Sequence, residues 1–186
     1  MTQDEGLAKT YLGDAYAAHA AHARKTGLLQ DCPALSIDQA TLLVWRTADT
    51  SRDFRIRSHA GQLTKSELRI SRMLDVAVDL LPRSIAQPID RVVSVPVDEM
   101  PGLQREYRMG RMVVWETLRS CSSSAAFRGR GNVAFIVTHR SGRVIGPYSW
   151  HPEEDEVLLP AGCRFRVGPT VEADLQRFEI SLEEIL

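Results

Sequence analysis

The chain changes texture at Pro88. Before it, apolar residues recur at helical intervals; after it, short β-branched runs are separated by Gly, Pro and Ser. Helices first and irregularly spaced strands afterwards argue for an α+β domain and against repeated βαβ units, because a parallel sheet needs a crossover between its strands. The Ala-rich segment Asp4 to Lys25 suits a helix, with Gly27 as its stop and Asp31-Cys32-Pro33 as a connection. Ser36 offers an N-cap and Gln39 follows three residues later, as in a capping box, so a second helix is expected to about Arg46. From Ser66 to Leu81 the residues Leu68, Ile70, Met73, Leu74, Ala77, Val78 and Leu81 fall mostly three or four apart. Pro82 ends the run, and the spacing predicts a third, amphipathic helix. Strands are expected at Ile89 to Val95, Met112 to Trp115, Val133 to Thr138, Glu156 to Leu159, Arg164 to Val167 and Arg177 to Leu182, and Arg140-Ser141-Gly142 suggests a hairpin.

Length and polarity limit what these elements can build. With 186 residues, 44% hydrophobic and 25% charged, the chain suits one globular core over residues 36–186 and a helical appendage over residues 1–35. The longest uncharged apolar runs, such as Ala40 to Trp45, fall far short of the roughly 20 residues a membrane span needs. Met1 to Glu5 has no basic region before an apolar stretch, so neither a span nor a Sec signal is expected. A formal net charge of -1 gives no general field for a nucleic-acid backbone. Charge is uneven, however: an Arg-rich tract from Pro101 to Arg143 precedes the acidic knot Glu153-Glu154-Asp155-Glu156, a pattern that suits an anionic ligand with chemistry beside it and equally a solvated face. Cys32, Cys121 and Cys163 are widely spaced and form no C-x-x-C, which argues against a disulfide framework or structural zinc and fits a reducing compartment. His19 and His22 lie one helical turn apart without a third ligand nearby, and are read as a solvated pair, with no metal expected.

Two segments carry possible chemistry. Gly129-Arg130-Gly131-Asn132-Val133-Ala134 fits a loose G-x-G-x-x-(G/A) pattern, but a β-branched run follows where a dinucleotide site needs a helix, so a Rossmann site is rejected. The second segment is Tyr148 to Pro160. If strand geometry begins at Glu154, the Glu154 and Glu156 carboxylates share a face while Val157 and Leu159 face a core. Like charges on one face destabilise unless a cation, a ligand or a raised pKa relieves them, a usual condition of catalytic carboxylates.

Glu154-Asp155-Glu156-Val157-Leu158-Leu159-Pro160, followed by Gly162 and Phe165-Arg166-Val167, resembles the E-x-E-V-L-x-P segment of the Arg-Ser-Glu class of mono-ADP-ribosyltransferases. Ser120-Cys121-Ser122 resembles that family's Ser-Thr-Ser, and Arg91 stands upstream where the family has Tyr-Arg-Gly, with Asp90 and Val92 replacing the aromatic residue and the Gly. Arg105 and Arg108 remain alternatives to Arg91. Phe127-Arg128-Gly129-Arg130 resembles the Phe-x-x-Arg loop of toxin members, and Trp150 lies in the loop that in the family touches the protein substrate.

The resemblance implies an α+β fold in which N-terminal helices precede two packed, mainly antiparallel sheets forming an NAD cleft. It implies transfer of ADP-ribose from NAD, as substrate and without a metal, to a protein arginine, in a toxin or effector-like enzyme. Glu156, Glu154, Ser120 and Arg91 would be catalytic; Arg91, Ser120, Phe127 and Arg130 would bind NAD; Glu154 and Trp150 would meet the acceptor. The other readings are an NAD glycohydrolase on the same fold and an inactive NAD-fold binding module. Partners would be NAD and an acceptor protein, with neither membrane nor nucleic acid, and the setting cytoplasmic or secreted without a Sec signal.

Overall fold

The computed structural model describes residues 6–124, 131–173 and 177–185. The chain runs α1 (Leu7–Leu12), α2 (Ala15–Lys25), α3 (Leu28–Asp31), α4 (Ile37–Thr47), α5 (Arg52–His59), α6 (Lys65–Asp79), β1 (Ile89–Val93), α7 (Met100–Glu106), β2 (Met112–Trp115), β3 (Arg119–Ser122), β4 (Val133–Thr138), β5 (Arg143–Val144), β6 (Glu156–Leu159), β7 (Cys163–Ala173) and β8 (Arg177–Ile185). Single 3-10 turns occupy Asp49–Ser51, Gly146–Tyr148 and Pro152–Glu154. Its contacts divide it into two compact units, Met1–Pro82 with Arg143–Pro152, and Arg83–Gly142 with Glu153–Leu186.

The first unit is helical and built around α4. The expected capping box is present: Gln39 N–H donates to Ser36 Oγ at 3.2 Å while Ser36 N–H donates to Gln39 Oε1 at 2.9 Å. Ala40, Leu42, Leu43 and Val44 are all fully buried, as expected of a helix with neighbours on every side. Here α2 packs on one side of α4 and α6 on another. The helices α1 to α3, from the segment expected to be an appendage, therefore share this unit with α4 to α6. The single helix expected from Asp4 to Lys25 is broken at Gly13, whose φ of 54° is open to glycine and strained for other residues. In α6 the buried stripe is Ile70, Leu74, Ala77 and Val78, and Leu68, expected on that face, is 45% exposed. Tyr11, Trp45 and Phe54 close a small aromatic cluster, with the Trp45 and Phe54 centroids 5.1 Å apart.

Among the described residues of the second unit, seven strands run in the order β2-β7-β8-β4-β1-β3-β6. The register is antiparallel for β1/β3, β1/β4, β2/β7, β3/β6 and β7/β8, and parallel only for β4/β8. The strand order curls over on itself. Between β2 and β4 lie β7 and β8, so a flat sheet would separate their facing residues by about 14 Å. Instead the Trp115 and Phe135 rings meet at 5.8 Å. The two arms thus enclose one core that includes Ile89, Val113, Trp115, Phe135, Val157 and Phe165, but they belong to one continuous, mainly antiparallel sheet and not to the two separate sheets expected, because the ladder from β2 to β6 is unbroken. Trp115 Nε1–H donates to the Tyr107 hydroxyl at 3.0 Å, so the buried indole is satisfied.

The loops differ from expectation in one place. Arg140-Ser141-Gly142 does not close a hairpin, because β4 is flanked by β8 and β1. Glu184 of β8 accepts from the Arg140 and Ser141 amides and the Ser141 hydroxyl, and this pins the turn to β8. Before β4, the Asn132 amide exchanges hydrogen bonds of 2.8 Å with both Val95 N–H and Val95 C=O. A Cβ on Gly131 would collide with the Val93 carbonyl, which explains a glycine there without any dinucleotide site.

Glu67 ties the first unit together through its charge. It closes a capping box on Thr64 at the start of α6, accepting from Thr64 N–H at 2.9 Å, and it also takes hydrogen bonds from Arg57 and the Tyr11 hydroxyl. The Arg57 guanidinium, followed by the Thr64 amide, holds its carboxyl down from 4.5 to about 2. A depressed carboxylate adds stability that is complete above its unfolded pKa and is lost as pH falls through the folded one. Unfolding free energy from urea titrations between pH 4.5 and 2 should therefore fall less steeply in Glu67→Gln than in the wild type. Equal slopes would mean that Glu67 does not carry this acid sensitivity.

Candidate active site

Arg119–Ser122 forms β3 although serine has little intrinsic preference for strands. Ladders on both edges and the inward Cys121, 3% exposed in the core, supply what propensity does not. With β6 the register sets Ser122 opposite Glu156 and Ser120 opposite Leu158. Strand alternation then places Ser120 and Ser122 on the face of Glu156, with Val157 and Leu159 in the core as expected. Glu156 is only 4% exposed, and the Ser120 hydroxyl, diagonal to it across the ladder, donates to its Oε1. A buried carboxylate needs such donors, since burying a charge without them costs several kcal/mol.

The neighbouring serines hold the acidic turn by its backbone. Ser122 Oγ–H donates to the Glu154 carbonyl, and Ser123 donates through both its N–H and its hydroxyl to the Asp155 carbonyl at 3.1 Å. Ser124 N–H donates in turn to Ser122 Oγ at 3.1 Å. The expectation that Glu154 and Glu156 share one strand face is not met. Strand β6 begins at Glu156, Glu154 closes the 3-10 turn Pro152–Glu154, and Asp155 between them has a left-handed φ of 46°. That residue breaks the period-2 alternation, so the two acids are placed separately: Glu156 buried on the ladder, Glu154 half-buried on the turn.

Arg91, on β1, donates from Nη1 to the Ser120 carbonyl at 2.7 Å and so braces the serine strand. Its register partner is Phe135, and by alternation it shares the face of Ile89 and Val93, whereas Asp90 stands opposite Ser122. Arg119, not singled out from the sequence, lies beside it: burial and then the Arg91 charge push its pKa down, and its guanidinium sits 5.8 Å from the Trp115 ring centroid. A cation next to a serine motif was the signal available for it. Burial drives the Cys121 thiol up to about 12, so it is a core side chain rather than a nucleophile. Arg105 and Arg108 are both exposed on and after α7. Phe127 and Arg130 lie outside the described residues.

Trp150 belongs to the first unit and is 39% exposed. Its indole N–H donates to His19 Nδ1 at 3.0 Å and its ring stacks on His22 with centroids 3.9 Å apart. The two histidines are therefore not a solvated pair, and His19 is 6% exposed. Trp150 lies 131 positions from His19, out of reach of any local pattern. Among the described residues no group of three or more His, Cys, Asp or Glu side chains is placed to hold a metal ion, and no helix is long and apolar enough to cross a membrane.

No model of a known protein family matches the chain. It is 27% identical over 157 residues, 81% of its length, to the Mav protein of Mycobacterium avium (strain 104), provisionally named an NAD(+)–arginine ADP-ribosyltransferase, and it spans 18% of that protein. Solved structures are similar over nearly the whole chain. The type III effector XopAI of Xanthomonas axonopodis pv. citri superposes with a TM-score of 0.82 at 17% identity, covering 100% of this chain and 89% of that one. Exoenzyme S of Pseudomonas aeruginosa, solved with human 14-3-3 protein beta and carba-NAD, gives 0.74 at 18% identity, covering 97% and 88%. The ADP-ribosyltransferase HopU1 of Pseudomonas syringae pv. tomato DC3000 gives 0.68 at 15%, covering 97% and 87%. These superpositions show that the chain has the fold of the ADP-ribosyltransferases.

Proposed function

We propose that this chain is a mono-ADP-ribosyltransferase of the Arg-Ser-Glu class that moves ADP-ribose from NAD to a protein arginine and releases nicotinamide. The observation that carries the reading is the buried Glu156 carboxylate held by the Ser120 hydroxyl at the start of β6. The ADP-ribosyltransferase fold supports it, as do the carba-NAD bound to Exoenzyme S and the arginine in the name given to Mav. The bacterial effectors among the fold neighbours suggest a comparable setting for this chain.

The chemistry asks for such a group. When the bond between nicotinamide and ribose breaks, its electron pair leaves with the nicotinamide nitrogen and positive charge develops on the ribose. Glu156, accepting from the ribose 2′-hydroxyl, would stabilise that charge, as fixed carboxylates do in glycoside cleavage. Ser120 would keep the carboxylate oriented. A guanidinium nitrogen of the acceptor then forms the new bond to the ribose carbon, and Glu154 would bind the guanidinium and take its proton. Arg91, whose Nη1 donates to the Ser120 carbonyl, would pair with an NAD phosphate through its planar guanidinium. By the resemblance, Phe127 would pack on the nicotinamide, Arg130 would reach a phosphate, and Trp150 would meet the acceptor protein. Incubation with labelled NAD and agmatine, followed by separation of ADP-ribosyl-agmatine, free ADP-ribose and nicotinamide, tests the proposal; nicotinamide release without transfer would support a glycohydrolase instead.

Glu156→Gln should lose roughly 10² to 10⁴ of NAD turnover while NAD binding, followed by calorimetry, changes much less, because the amide removes charge and leaves the shape. Wild-type turnover in this variant would remove Glu156 from the reaction. Arg91→Ala should weaken NAD binding more than Arg91→Lys, which keeps the charge and loses the planar fork. If Arg105→Ala or Arg108→Ala weakens it instead, the phosphate contact lies at the end of α7 or just after it. Glu154→Gln should lower transfer to agmatine far more than hydrolysis, since a charged acceptor favours a carboxylate partner by roughly 1.5 to 3 kcal/mol. Parallel loss of both activities would assign Glu154 a structural role.

A further inference from the structure

Large exposed aromatic side chains are ordinarily free to change rotamer, yet both N–H groups of Trp150 are held. Its backbone N–H donates to Thr47 Oγ1 at 3.1 Å, and its indole N–H to His19 Nδ1 at 3.0 Å, while His22 lies beneath the ring with planes 29° apart. These contacts fix two tautomers. Indole N–H can only donate, so His19 Nδ1 must be without a proton. The Ser149 carbonyl can only accept, so His22 Nε2, 3.1 Å from it, must carry one. His22 therefore keeps its bond whether neutral or charged, and His19 loses its bond when charged.

We propose that His19 and His22 are positioning residues that hold the Trp150 indole ready for the acceptor protein, and that the hold requires a neutral His19. This rests on the reading of Trp150 as an acceptor-contacting side chain. Holding the ring in advance removes ordering cost from acceptor binding, as rigid aromatic anchors do in other recognition surfaces. It also fixes the backbone at residues 149–151.

The surroundings favour the neutral form. Burial first and then His22 lower the pKa of His19 below 6.5. Charged groups on the elements around α2 are Lys9 on α1, Asp31 on α3, Asp38 and Arg46 on α4, and His151 after the tryptophan. Asp38 accepts from the Tyr16 hydroxyl and Asp31 from the Tyr148 hydroxyl. On α2 itself stand His22, which lowers the pKa of His19 further, and Arg24 and Lys25 in the last turn. The hold is thus closed at neutral pH and opens as pH falls below 6.5 and through the lowered pKa of His19.

The indole N–H resonance of Trp150, assigned by its loss in Trp150→Phe, reports the hold without reference to activity. It should shift in one step below pH 6.5 in the wild type. The step should vanish in His19→Asn, whose side-chain oxygen can accept near the place of Nδ1 and does not titrate. Transfer to an arginine-bearing peptide, divided by transfer to agmatine, should fall about tenfold or more in His19→Ala and recover in His19→Asn. The same ratio should fall in the wild type over the pH range of the indole step. An indole resonance with no such step, or an equal ratio in His19→Ala, overturns the proposal. The wild-type pH titration alone decides the matter if His19→Ala does not fold. Absence of both transfer and hydrolysis in the wild type would instead remove the enzymatic reading, and this role of Trp150 with it.

Discussion

A carboxylate buried at the start of a strand is the constraint on which the second unit depends. Glu156 cannot sit among core residues at 4% exposure unless neighbouring groups supply the hydrogen bonds that water would have given. The supply comes from β3, a strand whose sequence is poor in strand-forming residues and whose outward side chains are serines. Each serine of Ser120, Ser122 and Ser123 meets a different residue of the turn: the Glu156 side chain, the Glu154 carbonyl and the Asp155 carbonyl. The inward Cys121 and the brace from Arg91 then hold the strand itself. Positioning of the acids is thus a property of the β1-β3-β6 ladder rather than of the acidic segment alone.

The first unit solves a different problem. Its centre is α4, buried from Ala40 to Thr47, and its polar ties lie at the ends of helices: the capping boxes at Ser36 and Thr64 and the shared carboxylate of Glu67. The segment Arg143–Pro152 joins it through hydrogen bonds, Tyr148 to Asp31 at 2.8 Å and the Val144 amide to the Pro82 carbonyl at 2.9 Å. Such ties place Trp150 on the helices and not on the strands.

What could be read from the sequence follows the range of the forces involved. Strands β2, β4 and β6 were legible to the residue because their Val, Ile, Leu and Trp content and the turns beside them are local properties. The capping box at Ser36 was legible for the same reason. Strand β3 was not among the expected strands, since its conformation is imposed by partners on both edges. Short helices α5 and α7 offered too few turns to show a period. The shared face of Glu154 and Glu156 failed on a single dihedral, the left-handed Asp155, that nothing in a period-2 argument anticipates. Glu156 and Ser120 were named from motif resemblance, and the structure joins them by a hydrogen bond. Arg119 and the histidine pair under Trp150 depended on contacts that form only after folding.

All three cysteines are free and buried, at Cys32, Cys121 and Cys163. Burial raises the pKa of Cys32 and Cys121, which leaves little thiolate at neutral pH, and thiolate is the form that alkylating reagents and oxidants attack. Cys121 stands between two serines of the candidate site with its sulfur turned into the core. The folded protein should accordingly be indifferent to maleimides, and one cysteine introduced on an exposed loop would take a fluorophore or spin label without removal of the native three.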